Sequence, residues 1–352
     1  MSWLKVLLIL VVTMWLANSV GLADTVFVST WNWDIPTSLY RVDPSIQGAI
    51  PILQTGIPGW DQGVCGPDGN LYFSDVINLR IIRVTQNGTQ LTTVAKLPGQ
   101  SDQPTNMYSG PDGPSFDAQG DMYFTTGGYG GLWRLDGADP AKDPLQITAP
   151  FGPAPGHWIG AATAVLTKGP YAGEVIVSHH AGNVVYKINP ADCPSASSSN
   201  CAQPKVFLQE NLGQTFGLAI NSRGEIFVGS SNTSNTSWHP SRGWITKFAP
   251  DGSFMGQFVN LGNTEADGIA FDSQDNLWAV TANAVFKITP SGQRTLVSAV
   301  PFEGVGIAIC KDSATTAGGS SSSQHHVPVE LGAIWLYLGL YTFGKRIVHH
   351  CK

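Results

Sequence analysis

One phrase of this chain recurs four times, and the recurrence restricts the fold more than any other feature. Asp61–Val76 (DQGVCGPDGNLYFSDV), Asp112–Gly127 (DGPSFDAQGDMYFTTG), Phe216–Ser231 (FGLAINSRGEIFVGSS) and Asp267–Ala282 (DGIAFDSQDNLWAVTA) align without gaps. Each opens with a short apolar run, turns through a corner residue at a constant offset (Gly69, Gly120, Gly224, Asp275), and returns as a second apolar run. Constant spacing of this kind is what a hairpin repeated in one register produces.

Each hairpin leads to further strand patterns: Ile81–Val84, Gly131–Leu135, Trp244–Phe248 and Ala284–Ile288, with fourth strands such as Thr92–Leu97 and Arg294–Val300. Four strands per unit is the make-up of a propeller blade. A fifth unit runs through Gly160–Leu166, Glu174–His180 and Asn183–Asn189. The last is split: Val305–Cys310 reads as an innermost strand, and Thr25–Thr30 with Leu39–Val42 as the second and third strands that it lacks. Joining chain end to chain start removes open sheet edges. The expected fold is therefore all-β, a six-bladed β-propeller with four-stranded blades, closed by pairing of the N- and C-terminal strands. An open β-solenoid or a seven-bladed ring is the alternative.

Composition fits many short strands joined by tight turns: 40 Gly and 23 Pro among 352 residues, with only 12% charged. A net charge of −6 without a run of Lys or Arg argues against nucleic acid as a partner. Residues 1–23 read as a signal peptide, with Lys5, the apolar run Val6–Val12 and small residues before Asp24; an uncleaved anchor is the alternative. The propeller is expected over residues 24–311, followed by a Ser/Gly-rich linker, 312–330, and a short apolar tail with a basic cluster, 331–352. That tail reads as a sorting or membrane-association segment, or simply as a sticky disordered end. The expected location is secreted, periplasmic or cell-surface.

Of the five cysteines, Cys193 and Cys201 bracket a small polar loop and are expected to form a disulfide. Cys65 and Cys310 can pair only if the first and last blade elements lie side by side.

In a blade, residues just before strand one and just after strand two surround one mouth of the channel. The first group here is Asp61, Asp112, Phe216 and Asp267; the second includes Asp75, Thr126, His179, His180 and Ser231. Three carboxylates converging on one mouth repel one another, and a divalent cation (Ca²⁺, Mg²⁺, Mn²⁺ or Zn²⁺) held by Asp61, Asp112 and Asp267 would compensate. Alternatively each Asp caps its own backbone turn. His179 and His180 are candidate general bases, although adjacent strand residues point to opposite faces. Trp33, Trp60, His157 and Trp158 fall near the same mouth, where aromatic faces suit sugar rings, or else pack between blades. Asn87, Asn232 and Asn235 sit in glycosylation acceptor motifs.

Gly66–Asp75 and Ala266–Trp278 resemble blades of the family of gluconolactonases, senescence-marker proteins and luciferin-regenerating enzymes, and more loosely NHL-type repeats. The resemblance spans about residues 24–310. It implies a six-bladed propeller that hydrolyses a lactone with one divalent cation at the channel mouth. Aligned by repeat, the family's Glu ligand falls on Asp61, its Asn positions on Asp112 and Phe216, and its Asp on Asp267. Only Asp267 is retained unchanged, and Phe216 has no metal-binding atom. One expectation is therefore a metal-dependent hydrolase of a lactone or similar ester, in which Asp267, His179 or His180 relays the proton. A non-catalytic propeller binding a glycan, peptide or surface partner through Trp33, Trp60, His157, Trp158 and Phe216 is the alternative.

Overall fold

A computed structural model describes residues 24–31, 38–54, 60–97, 110–126, 131–152, 162–193, 200–232, 242–300 and 303–311. The expected signal peptide, linker and tail lie outside them. Among the described residues no helix is long and apolar enough to cross a membrane.

The chain opens with β1 (Thr25–Trp31), β2 (Ser38–Asp43) and β3 (Gly48–Gln54). Blade 1 comprises β4 (Trp60–Cys65), β5 (Leu71–Asp75), β6 (Arg80–Val84) and β7 (Leu91–Lys96). Blade 2 comprises β8 (Pro111–Phe116), β9 (Met122–Thr126), β10 (Leu132–Leu135) and the short β11 (Leu145–Gln146). Blade 3 holds β12 (Thr163–Val165), β13 (Val175–His179), β14 (Val184–Ile188) and β15 (Lys205–Leu208). Blade 4 holds β16 (Gln214–Ile220), β17 (Ile226–Ser231), β18 (Gly243–Phe248) and β19 (Phe254–Gly262). Blade 5 holds β20 (Gly268–Phe271), β21 (Leu277–Thr281), β22 (Ala284–Ile288) and β23 (Arg294–Ala299). Finally β24 (Glu303–Cys310) pairs antiparallel with β1, Val26 opposite Ile309, and completes blade 6 in the order β24-β1-β2-β3. The architecture is a six-bladed β-propeller closed as the split repeat required.

The second strand of each blade explains why these segments read as unbroken apolar runs. All five residues of β5, β9, β13 and β21 are buried. Alternate side chains feed opposite interfaces: Leu71 and Phe73 pack towards blade 6, Tyr72 towards blade 2. Likewise Val175 and Val177 face blade 2 while Ile176 faces blade 4. The hydrophobic core is accordingly six separate layers, one per blade interface. A strand covered on both faces loses the period-two polarity that marks a half-exposed one.

The turn between first and second strands repeats one polar device. Asp117 accepts hydrogen bonds from the backbone N–H groups of Gln119 and Asp121 and from the Tyr123 hydroxyl. Asp272 does the same for Gln274, Asn276 and the Trp278 indole. In blade 1 the acceptor is shifted to Asp68, which takes the Asn70 N–H and the Tyr72 hydroxyl. Carboxylates holding backbone amides this way stabilise a tight turn.

Two disulfides are present. Cys193–Cys201 spans a Cα–Cα distance of 5.4 Å. Cys65–Cys310, at 5.2 Å, joins the innermost strands of blades 1 and 6 and so staples the ring's seam. Both suit an oxidising compartment.

Candidate functional site: the channel mouth

Four innermost strands are bulged at their mouth ends, β4, β8, β16 and β24, the last with Val305 and Gly306 opposite only Ser29. Trp60 faces Asp75 but Gly63 faces Phe73, so two residues, Asp61 and Gln62, oppose only Ser74. The same two-against-one irregularity falls at Gly113–Pro114 of β8 and at Phe216–Gly217 of β16. A bulge bends the strand and re-aims its side chains, which is why bulges recur beside functional sites.

At this end the innermost strands come very close together. Glycine follows the mouth residue in four blades, as Asp112-Gly113, Phe216-Gly217, Asp267-Gly268 and Val305-Gly306. Each of these glycines lies against the backbone of the next blade. A Cβ on Gly217 would sit 2.8 Å from the Asp267 carbonyl oxygen, and one on Gly268 would sit 2.7 Å from that of Val305. On Gly306 it would collide with the Asp61 carbonyl. The Asp-Gly pairs that mark the repeat therefore include a glycine that lets the ring close, a collar around the channel. Hydroxyls reinforce it. Ser29 donates to the Asp61 carbonyl at 3.1 Å, Ser178 to that of Phe216 at 2.8 Å, and Thr163 to that of Gly113 at 2.5 Å.

The three expected metal ligands all lie at this collar and are all buried: Asp61 (8% exposed), Asp112 (4%) and Asp267 (7%). Asp61 and Asp112 are neighbours. Burial, and then the Asp61 charge, push the Asp112 carboxyl well above the usual carboxylate range, against the hydrogen bond from the Gly113 N–H (2.7 Å). Asp267 does not complete a centre with them. Among the described residues, no three His, Cys, Asp or Glu side chains are arranged to hold a metal ion. The donors that remain also suit a cation poorly. One Asp112 oxygen is taken by an amide, and the aromatic Phe216 occupies a ligand position. The Asp267 carbonyl accepts the Gln62 side-chain amide at 2.7 Å.

The histidines part company as strand alternation requires. His179 is fully buried and turned towards Gly152, Gly182 and Tyr186 in the layer between blades 2 and 3; neither ring nitrogen has a hydrogen-bond partner among the described residues, and burial lowers its pKa. This corrects the expectation that it serves the mouth as a base. His180 turns the other way, edge-on to Phe216 at 4.6 Å between ring centroids. Burial, opposed by a backbone hydrogen bond at Thr215, brings its pKa down to about 4, so it is neutral at pH 7 and a weak base. Trp60 is a second correction. It is 1% exposed and stacks on Phe73 at 6.0 Å within the layer between blades 6 and 1, because its position precedes the bulge and points into the core. Phe216 is only partly buried. Trp33, His157 and Trp158 lie outside the described residues, as does Asn235. Gln62 escaped the sequence reading; its signal was a Gln where four other blades carry the collar glycine.

No protein-family model matches the chain, and no curated protein matches it in sequence. Solved structures do match in fold. The nidogen/laminin complex gives a TM-score of 0.56 at 12% identity, over 82% of this chain and 98% of that one. A gluconolactonase from Xanthomonas campestris gives 0.50 at 17% identity, over 70% and 78%. A streptogramin B lyase gives 0.50 at 14% identity, over 82% and 88%. Identities this low establish the class, a six-bladed β-propeller, and the class hosts binding proteins and enzymes alike.

Proposed function

We propose that this chain is an exported, non-catalytic binding propeller that takes an uncharged, sugar-like ligand at its channel mouth. The carrying observation is Phe216, partly exposed and backed edge-on by the neutral His180, at a repeat position where a metal-using lactonase needs a donor atom. An aromatic face beside neutral polar groups stacks on a sugar ring without demanding charge. The two disulfides and the apolar leader support export.

A second reading has its own support. The buried, adjacent carboxyls of Asp61 and Asp112, on a fold shared with a gluconolactonase, favour a lactone hydrolase. One experiment separates the two. The purified chain is screened against a glycan array and against a panel of sugar and aliphatic lactones, with and without Ca²⁺, Mg²⁺, Mn²⁺ or Zn²⁺. We expect glycan binding that Phe216→Ala weakens by about tenfold, the scale of one lost stacking contact, and no lactone turnover. Chelator-sensitive turnover with an empty array would reverse the assignment.

A further inference from the structure

Gln62 makes a connection that the repeat alone does not call for. It sits in the bulge of β4 in blade 1, buried, and its side-chain N–H group donates to the Asp267 carbonyl of blade 5 at 2.7 Å. Blades 1 and 5 are not neighbours, because β24 of blade 6 stands between them. Gly306 of β24 lies directly against the Asp61 backbone, and the Gln62 amide next to it reaches the blade on the far side of that strand. The bond is therefore a chord across the collar, linking residues 205 apart in sequence.

Several donors converge on a channel mouth from different blades, and a cation there would tie those blades together. Here the side-chain amide takes the Asp267 carbonyl at the collar, one Asp112 oxygen is committed to Gly113, and no acidic trio is assembled among the described residues. We propose that Gln62 is a built-in strut that does a central cation's structural task, tying non-adjacent blades across the channel so that the ring closes without metal. The inference concerns the collar itself and stands whichever ligand the mouth takes.

The test uses the full chain. The purified protein is incubated with Ca²⁺, Mg²⁺, Mn²⁺ or Zn²⁺, desalted, and assayed for bound metal by mass spectrometry; its melting temperature is recorded with and without EDTA. We expect no stoichiometric metal and the same melting temperature in both conditions. Gln62→Met keeps the side chain's length and removes the amide, and Gln62→Ala removes both. Each is expected to lower the melting temperature by about 2–4 °C, the scale of one lost buried hydrogen bond in a domain this large. Metal retained at one ion per chain, or an EDTA-induced fall in the wild type, overturns the proposal. So does a Gln62→Met protein that melts like the wild type, since packing alone would then account for the residue. If Gln62→Ala does not fold, the metal assay and the Met variant still decide the matter.

Discussion

Single residues in this ring depart from the repeat where a neighbouring blade requires it. The corner of each hairpin is left-handed, and Gly fills it at positions 69, 120 and 224. In blade 5 it is Asp275, at φ 59°, which strains a residue with a side chain. Its carboxylate accepts from the backbone N–H (3.0 Å) and hydroxyl (2.6 Å) of Ser222 and from Arg223 in blade 4, which offsets that strain. His180 is the residue whose chemistry changes with conditions. Its folded pKa of about 4 lies below the unfolded value of about 6.5, so the unfolded chain binds more protons between those values. This contribution to stability is complete above pH 6.5 and is lost as pH falls towards 4. Urea unfolding at pH 7 and pH 4.5 should show His180→Gln losing less stability than the wild type on acidification, by on the order of 2 kcal/mol. Equal losses in the two proteins would mean that the imidazole is not shielded as described.

At the scale of the element, the innermost strands carry the tightest constraint. Their bulges turn Asp61 and Phe216 towards the mouth, and their glycines let one blade's backbone rest on the next. Gly268→Ala places a methyl group 2.7 Å from one backbone atom and 2.9 Å from another, neither of which can swing aside like a side chain. We expect that substitution to cost about 1–3 kcal/mol, the usual range for forced overpacking. It should also cost more than alanine at Gly69, where no atom comes within 4 Å and only the left-handed φ is at stake. Thermal and urea melts of the two variants would check the order, and a reversed order would mean that backbone contact between blades does not constrain Gly268.

Across the whole molecule, stability depends on a closed ring whose ends meet in blade 6. Strand β24 pairs with β1, and Cys65–Cys310 locks the seam across a sequence separation of 245. Cys193–Cys201 closes a separation of only 8. In the chain-entropy view the first crosslink is worth about 5 kcal/mol and the second about 2–3 kcal/mol. The Cys65→Ala/Cys310→Ala chain should therefore melt well below the Cys193→Ala/Cys201→Ala chain. The opposite ranking would show that the seam is held by its strands and packing alone.

The four copies of the repeat phrase carried the hairpin register, and the fifth and split units beside them pointed to six blades and a circular closure that the strand pairing bears out, because periodicity is written along the chain. It also put Asp61, Asp112, Phe216 and Asp267 at one repeat position. What those residues do there was decided by the tertiary structure. Asp61, Asp112 and Asp267 do not form a three-ligand metal group among the described residues, Trp60 turns into the core, and His179 and His180 face different layers. The Asp-Gly pair proved to owe its glycine to backbone contact between blades. Gln62 acquired a partner 205 residues away. Side-chain direction at a bulge and the distance between non-adjacent blades are set only once the ring has closed, and neither leaves a period in the sequence.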